Sequence, residues 1–311
     1  MSNSLAGRDF LSIEDLSKAE IEMVLGQAER LEEQCQKQPK LELLSGCILA
    51  TMFYEPSTRT RLSFESAMHR LGGDVISTAS AAKTSSAAKG ETLSDAARML
   101  SGYAHIIAQR HPQVGSAKET AEGATVPVIN AGDGPNEHPT QALLDLYTIQ
   151  KERGQIDGLR VTMVGDLKYG RTVHSLSKAL VHWGVTLTLV SPQALQMPPS
   201  IIQQLKQMIA VNETEDLVST LETCDVLYVT RIQKERFENP ADYDKVKDSY
   251  VITRELVNST NPEITIMHPL PRVNEIATDV DSLPGAAYFR QADNGVWARM
   301  ALMALILDAV E

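Results

Sequence analysis

Residues 53–63 read FYEPSTRTRLS and place three hydroxyls and two guanidinium groups within five consecutive positions. The stretch lies between an apolar run and a helical pattern, where a strand should end and a helix should begin. A helix N-terminus offers unpaired N–H groups and partial positive charge, and a guanidinium can bind phosphate through two hydrogen bonds. Ordinary capping by Ser57 or Thr58 would account for one hydroxyl, but not for three beside Arg59. We therefore predict a phosphate site at residues 57–60.

The overall charge of the chain makes such a positive cluster unusual. Its 311 residues carry a formal net charge of −11, with 43% hydrophobic and 22% charged residues, as in globular proteins. This balance disfavours nucleic acid as a partner, because no basic stripe is available to replace counterions. An anionic ligand must therefore be held by a local positive site that acts against the overall field.

The sequence also argues against membrane, secreted and metal-dependent classes of protein. The longest apolar runs, such as 300–307, are too short to span a bilayer, and the N-terminus lacks a signal-peptide pattern. Cys35, Cys47 and Cys224 are widely spaced and odd in number, which argues against a disulfide framework and a thiolate metal site. We expect a cytoplasmic protein with no membrane partner, no metal and no cofactor.

Predicted strands and helices alternate on both sides of the hydroxyl cluster. Ser17 and Glu20 form a capping-box pattern ahead of an apolar stripe at helical spacing, which predicts a first helix. A β-rich run ends at Glu55, the next helix stops at Gly72-Gly73, and residues 74–77 resemble a strand. Further strands are predicted at 105–110, 126–130, 161–166, 185–192, 225–231 and 264–269, and further helices at 93–100, 140–152, 173–183, 216–224 and 294–310.

This alternation predicts an α/β protein with two domains, each a parallel sheet flanked by helices, joined by interdomain helices. We expect the first domain at residues 1–139, a connecting helix at 140–152 and the second domain at 153–290, with a C-terminal helix at about 291–311 that packs back on the first. In open parallel sheets, ligands bind at the carboxyl ends of the strands. The polar segments at these ends are Glu55–Arg61, Arg110, the loop to His138, the loop after Asp166, Thr230–Arg231 and His268–Arg272.

Seven short motifs lie along the chain in an order that one known family shares. They are residues 56–61 (PSTRTR), Lys89-Gly90-Glu91-Thr92, Arg110-His111-Pro112, His138-Pro139-Thr140-Gln141, Gly165-Asp166 with Arg171, Thr230-Arg231 with Gln233, and His268-Pro269-Leu270-Pro271-Arg272. The chain resembles the aspartate and ornithine carbamoyltransferases over its whole length, and PSTRTR is similar to their carbamoyl-phosphate motif. The resemblance implies that the first domain binds carbamoyl phosphate and the second binds the amino-acid acceptor.

Differences within the family indicate which amino acid is the acceptor. Ornithine members resemble H-C-L-P at the last motif, whereas residues 268–271 read HPLP, as in aspartate members. Arg171 and Arg231 add positive charge, which suits a dicarboxylate and would repel the ammonium group of ornithine. Lys89 resembles a residue in the mobile loop of the aspartate members, although Ala88 stands where some relatives carry a second basic residue. The resemblance implies carbamoyl transfer to aspartate in de novo pyrimidine biosynthesis, with ornithine as the alternative acceptor.

The resemblance also implies a role for each site residue. The aspartate α-amine would attack the carbonyl carbon of carbamoyl phosphate, and the leaving phosphate would accept the amine proton. Positioning two reactants can lower a barrier by roughly 7–11 kcal/mol, and an oxyanion donor can lower it by roughly 3–4 kcal/mol. The implied ligands are Ser57, Thr58, Arg59, Thr60 and Ser85 for the phosphate; Thr60, Arg110 and His138 for the carbonyl oxygen; Gln141, Pro269 and Leu270 for the carbamoyl amide; and Lys89, Arg171, Arg231 and Gln233 for aspartate. Those expected to be catalytic are Arg59, Thr60, Lys89, Arg110, His138 and Gln141.

Domain closure and assembly are further implications of the resemblance. Glu55 is expected to pair with Arg171 and Arg236 across the gap between the domains and to hold the closed state. The family forms homotrimers in which the loop carrying Ser85 and Lys89 reaches the neighbouring active site. Some members also bind separate regulatory chains.

Two other functions remain open on the residues alone. The segment GDLKYGRT at 165–172 is close to the nucleotide-binding pattern G-x-x-x-x-G-K-[ST] and follows a predicted strand, which would suit a nucleotide-hydrolysing enzyme. Arg171 stands in place of the lysine, however, and no second metal-binding carboxylate is evident. A non-catalytic anion-binding module is the other alternative, and two separate charged sites in two domains disfavour it.

Overall fold

The computed structural model describes residues 3–232 and 249–310, together with Asn239, Tyr243 and Val246. The chain divides into two units. One comprises Met1–Tyr147 with Asp293–Glu311, and the other comprises Thr148–Ala292.

The first unit is built on four parallel strands in the order β2–β1–β3–β4. Parallel strands of this kind are covered on both faces, and β1 is accordingly buried along nearly its whole length. Its elements are α1 (Lys18–Lys37), β1 (Ile48–Phe53), α2 (Thr58–Arg70), β2 (Asp74–Ala79), α3 (Ala81–Thr84), α4 (Leu93–Leu100), β3 (Ile106–His111), α5 (Ser116–Gly123), β4 (Val128–Asp133) and the start of α6 (Pro139–Arg153).

The second unit is built on five parallel strands in the order β7–β6–β5–β8–β9. Its elements are β5 (Arg160–Val164), α7 (Arg171–Leu180), β6 (Thr186–Val190), α8 (Pro199–Lys206), β7 (Ala210–Thr214), α9 (Leu217–Leu221), β8 (Val226–Val229), α10 (Arg254–Thr260), β9 (Thr265–Met267) and the start of α11 (Tyr288–Ile306). The prediction of an α/β fold with two parallel sheets flanked by helices is confirmed.

Strand order explains why the predicted site segments of each unit lie close together within that unit. In each sheet, successive strands are added first toward one edge and then toward the other edge. This reversal lies between β1 and β3 in the first unit and between β5 and β8 in the second. A crevice opens at such a switch point, at the carboxyl ends of the two strands. The hydroxyl cluster follows β1 and Arg110 lies at the end of β3, while Arg171 follows β5 and Arg231 follows β8.

Local signals in the sequence place several element ends correctly. The Ser17 side chain accepts a hydrogen bond from the Glu20 N–H, and the Glu20 carboxylate accepts one from the Ser17 N–H, so the predicted capping box at α1 is present. Helix α2 ends before Gly72, whose φ of +90° favours glycine. The predicted glycine stop is therefore confirmed.

Other elements differ from the sequence predictions. Helix α11 begins at Tyr288 rather than at Asn294, because Gln291 N–H already bonds to Ala287 C=O and Arg290 pairs with Glu152. Those six residues carry no apolar stripe to reveal them. Strand β7 was not predicted, since it lies at the sheet edge and none of its residues is fully buried. Helices α3, α5, α8 and α10 are also additional to the prediction.

The cysteines fit a structural rather than a reactive role. Cys35, Cys47 and Cys224 are free thiols, and burial raises the pKa of Cys224 to about 11. Within the described ranges, no group of three or more His, Cys, Asp or Glu is placed to hold a metal ion. In the same ranges, no helix combines the length and apolar character needed to cross a membrane.

Candidate active site

The predicted phosphate residues lie at the start of α2, directly after β1. Ser57 precedes the helix with an extended backbone, and its side chain makes no capping hydrogen bond. Capping therefore does not account for the Ser57 hydroxyl. Thr58 and Arg59 are exposed, whereas Thr60 is buried. The first turn of this 13-residue helix places its N–H groups beside these side chains, an arrangement that favours an anion.

The second arginine of the cluster, Arg61, has a structural partner. Its Nη1 donates to Glu65 Oε1 at 2.8 Å and to Ser77 Oγ of β2 at 3.1 Å. Ser77 Oγ also donates to Glu65 Oε1 at 2.6 Å. Arg61 therefore ties α2 to β2, while Arg59 lies exposed at the helix start. The two arginines of the motif are distinguished by their surroundings.

The structure brings together two residues that were predicted to face the carbonyl oxygen. Thr60 Oγ1 lies 3.3 Å from His138 Nε2, and both side chains are buried. His138 directly precedes α6, so the contact joins the first turn of α2 to the residue before α6. Whether the ring nitrogen donates or accepts depends on the tautomer. The two groups lie close enough to bind the same small ligand atom.

Arg110 lies at the end of β3 and contacts Glu55. Its Nε donates to Glu55 Oε1 at 2.7 Å, and about one eighth of the arginine side chain is exposed. Strand register explains the contact, because Phe53 of β1 is paired with Arg110 of β3. The Glu55 carboxylate thus offsets part of the Arg110 charge. Of the partners predicted for Glu55, Arg171 belongs to the other unit and Arg236 lies outside the described residues.

Ser85 and Lys89 lie in a short loop after α3. Ser85 Oγ donates to Ala81 C=O at 2.6 Å and accepts from Ala87 N–H at 3.2 Å. It caps a 3₁₀ turn at Ser86–Lys89, and Lys89 is exposed at the end of that turn. The hydrogen bonds of Ser85 are therefore made within its own loop, and they do not join it to the residues around Thr60.

In the second unit, Arg171 is the first residue of α7 and Arg231 follows β8. Both side chains are half-buried. The two strand ends are linked by Thr230, whose Oγ1 accepts from Asp166 N–H at 3.0 Å. The close approach of the segments after β5 and β8 requires a glycine at 165, since a Cβ there would lie 2.2 Å from the Thr230 carbonyl oxygen. These contacts hold the two arginine-bearing segments at one end of the sheet, whereas Gln233 lies outside the described residues.

The turn that carries Pro269 and Leu270 is held by a buried histidine. His268 Nδ1 accepts from Leu270 N–H at 2.8 Å, and its Nε2 lies 2.7 Å from Glu275 Oε1. Partial burial by itself would raise the pKa of Glu275. The hydrogen bond and charge of His268 have the larger, opposite effect, so the pKa lies below its ordinary value. Leu270 adopts a φ of +55°, which is unusual for a residue with a side chain. With both ring nitrogens engaged inside the turn, His268 has a structural role there.

The loop GDLKYGRT does not have the geometry of a nucleotide-binding loop. Such a loop needs successive N–H groups directed at phosphate. Here the N–H groups of Asp166, Leu167 and Tyr169 donate to Thr230 Oγ1, Leu195 C=O and Asp166 Oδ1. Those amides are committed to the fold of the unit. The nucleotide-hydrolysing alternative is therefore not supported.

Two buried charged residues near the first site, Asp145 and Arg299, belong to none of the sequence motifs. Gln141, in the first turn of α6, donates from Nε2 to Asp145 Oδ1 at 2.9 Å. Asp145 is fully buried, and Arg299 of α11 is 3% exposed. Neither was singled out from the sequence. The signal that could have found them is a single charge within an apolar helical stripe, as in LLDLY and WARMAL.

Family models match both halves of the chain. Residues 8–151 match the carbamoyl-P binding domain of aspartate/ornithine carbamoyltransferase, and residues 157–306 match the Asp/Orn binding domain. The chain belongs to the aspartate/ornithine carbamoyltransferase family.

Relatives of this carbamoyltransferase chain match it over nearly its full length. A protein of Thermococcus onnurineus named aspartate carbamoyltransferase catalytic subunit is 55% identical over 98% of both chains. The solved catalytic subunit of Methanocaldococcus jannaschii aspartate transcarbamoylase is 54% identical, with a TM-score of 0.90 over 97% of this chain and 98% of that one. Aspartate transcarbamoylase of Trypanosoma cruzi, solved with N-(phosphonacetyl)-L-aspartic acid, is 40% identical, with a TM-score of 0.93 over 98% of each chain. The similarity therefore extends through both domains of the family.

Proposed function

We propose that this chain transfers the carbamoyl group of carbamoyl phosphate to the α-amine of L-aspartate, giving N-carbamoyl-L-aspartate and phosphate. The observation that carries the assignment is the 55% identity, over 98% of both chains, to a relative named for that activity. The Trypanosoma cruzi neighbour, solved with carbamoyl phosphate and aspartate together, has a TM-score of 0.93 to this chain. The aspartate acceptor also agrees with HPLP at residues 268–271.

The first unit is assigned the phosphate group. Ser57, Thr58, Arg59 and Thr60 lie at the start of α2, where helix N–H groups and a guanidinium favour a dianion. Ser57 supports this role because its hydroxyl is not used for capping. Ser85, which bonds within its own loop, would have to exchange those contacts for the phosphate.

The carbonyl oxygen is assigned to Thr60, His138 and Arg110. Attack by the amine places negative charge on this oxygen while the bond to phosphate breaks, and fixed donors stabilise that charge. The 3.3 Å separation of Thr60 Oγ1 and His138 Nε2 supports a shared target. Arg110 adds positive charge, although Glu55 neutralises part of it. Gln141, with the carbonyls of Pro269 and Leu270, is assigned the carbamoyl amide.

The second unit is assigned the aspartate carboxylates through Arg171, Arg231 and Gln233, with Lys89 as a further cation. The support is the half-buried position of Arg171 and Arg231 at the ends of adjacent strands. Guanidinium groups bind carboxylates through paired hydrogen bonds and are always charged. We accordingly take residues 1–139 with the C-terminal helix as the carbamoyl-phosphate domain, and 153–290 as the aspartate domain.

Assembly and cellular role follow as finer proposals. We infer a homotrimer with shared active sites, a role in pyrimidine biosynthesis and a cytoplasmic location. The support is the family to which the chain belongs. Binding of regulatory chains and closure through Glu55 stay predictions.

A steady-state assay tests the assignment. Carbamoyl phosphate is supplied with either L-aspartate or L-ornithine, and the carbamoylated product is quantified. We expect turnover with aspartate, and kcat/KM for ornithine lower by at least about a hundredfold, because its ammonium would face arginines. Preference for ornithine would overturn the acceptor assignment. Binding of carbamoyl phosphate without turnover of either amino acid would instead identify a non-catalytic module.

A further inference from the structure

The orientation of the Gln141 side-chain amide is set by a carboxylate. Its Nε2 donates to Asp145 Oδ1 at 2.9 Å, one turn further along α6, and both side chains are buried. An ionised carboxylate has lone pairs only and cannot donate. Gln141 must therefore present its NH₂ group to Asp145. Its carbonyl oxygen is directed away from Asp145.

Asp145 needs a nearby cation because it is fully buried. A lone carboxylate in such a place would take up a proton, and a protonated Asp145 could donate to Gln141 and reverse the amide. Arg299 is the cation whose charge Asp145 stabilises. Burial lowers the pKa of Arg299 to about 10 while Asp145 opposes the shift, so the guanidinium is charged at neutral pH.

Arg299 is itself held in place by its surroundings. Its Nη1 donates to Gly295 C=O at 3.0 Å and its Nη2 to Thr140 Oγ1 at 3.3 Å. The guanidinium lies over the Phe64 ring at 5.0 Å. Gly295 provides the space, since a Cβ there would lie 2.6 Å from Arg299 Nη1. The helix that starts at the phosphate residues, α2, and the helix that carries Gln141 thus both contact this arginine.

We propose that Asp145 is a positioning residue that fixes the Gln141 carbonyl oxygen toward the donor substrate and selects a carbamoyl over an acyl group. The inference rests on the proposed function. The carbamoyl NH₂ can donate to a carbonyl oxygen, whereas the methyl group of acetyl phosphate, which has nearly the same shape, cannot. A site that offers a buried hydrogen-bond acceptor binds an analogue without a donor poorly, because the acceptor then has no hydrogen-bond partner.

The test compares carbamoyl phosphate with acetyl phosphate in Asp145→Asn. The asparagine can rotate its own NH₂ toward Gln141, so the Gln141 amide is no longer held in one orientation. We expect kcat/KM for carbamoyl phosphate to fall about tenfold or more, while the inhibition constant of acetyl phosphate changes less than about threefold. A purely structural role for Asp145 would weaken both to the same extent, and equal losses would overturn the proposal.

A double-mutant cycle shows whether Asp145 acts through Gln141. In a Gln141→Ala background, Asp145→Asn should leave unchanged the ratio of kcat/KM for carbamoyl phosphate to the reciprocal of the inhibition constant of acetyl phosphate, and an undiminished effect there would contradict the proposal. Asp133→Asn is the matched control, because Asp133 is also a buried carboxylate of this unit but bonds to Asn130 and Asn136. Its ratio should equal that of the wild type.

A second variant keeps the proposal testable if Asp145→Asn fails to fold. Gly295→Ala should displace Arg299. It should lower the ratio of kcat/KM for carbamoyl phosphate to the reciprocal inhibition constant of acetyl phosphate, as Asp145→Asn does. An unchanged ratio in a folded Gly295→Ala chain would contradict the role of Arg299. Failure of the wild-type chain to carbamoylate aspartate is a separate result, which would overturn the proposed function rather than the positioning role.

Discussion

Arg59 and Arg61 stand two residues apart at the start of α2, and their surroundings separate their roles. Arg61 is tied to Glu65 and Ser77, whereas Arg59 is exposed beside the helix N-terminus. Sequence spacing alone puts both within reach of a phosphate. The contacts of the folded chain assign the structural role to Arg61.

The first prediction compares these two arginines. Arg59→Ala should lower kcat/KM for carbamoyl phosphate about a hundredfold or more, because a two-bond contact to a dianion is lost. It should also weaken the binding of N-(phosphonacetyl)-L-aspartic acid in calorimetry. Arg61→Ala is the matched control and should mainly lower thermal stability. Near-normal kinetics in Arg59→Ala would contradict the phosphate assignment.

At the scale of the element, a helix cap gives a prediction on pH. Partial burial by itself would raise the pKa of Glu20. Hydrogen bonds from Ser17, Ser4 and Arg8 outweigh that effect and lower the pKa to about 2. Because this pKa in the folded chain lies below the ordinary value of 4.5, the ionised Glu20 carboxylate stabilises the folded state. The stabilisation is complete above pH 4.5 and declines as the pH falls toward 2.

Glu20→Gln should therefore lower the thermal midpoint at pH 7, by an amount equivalent to about 1 kcal/mol, and the difference from wild type should shrink by pH 3. Glu22→Gln, an exposed position on the same helix, is the control and should have little effect at either pH. A Glu20→Gln difference that is equally large at pH 3 would show that the charge of this carboxylate is not responsible.

The meeting of β5 and β8 gives a second prediction at the element scale. Gly165 has a φ of +119°, and a Cβ there would meet the Thr230 carbonyl oxygen. Gly165→Ala should cost about 2–4 kcal/mol and should also raise KM for aspartate, because it displaces the segment before Arg231.

Gly158→Ala is the control, since its φ of +71° is also positive but no atom lies within 4 Å of its added Cβ. It should cost only about 1 kcal/mol and leave KM unchanged. Equal losses of stability in both variants would mean that backbone conformation, rather than the close approach to Thr230, decides the effect.

At the scale of the whole molecule, the proposed trimer predicts complementation. Lys89 is exposed at the end of a 3₁₀ turn, in a loop where Ser85 bonds only to nearby backbone groups. If Lys89 serves a neighbouring subunit, inactive Lys89→Ala and inactive Arg59→Ala chains should recover part of the activity when mixed. Mass spectrometry must first show mixed assemblies, and mixed assemblies without activity would place the complete site within one chain.

Much of the fold could be predicted because its signals are local. The capping box at Ser17, the glycine stop at Gly72 and the strand–helix alternation each depend on neighbouring residues, and all are present in the structure. Strand β7 and the early start of α11 could not be predicted this way. An edge strand is only partly buried, and the first turns of α11 depend on partners such as Glu152 that are distant in sequence.

The sequence by itself determined the motifs that place the chain in its family, and it predicted an anion site at residues 57–60 and arginines after the strands of a second sheet. Those features follow from residue types and short spacings. Only the tertiary structure decided that Thr60 meets His138, that Arg61 serves the fold, and that Gln141 is oriented by Asp145 with Arg299 nearby. The contacts of Thr60 with His138 and of Arg61 with Ser77 join different elements, and the burial of Asp145 and Arg299 depends on how the helices pack. No local pattern in the sequence contains this information.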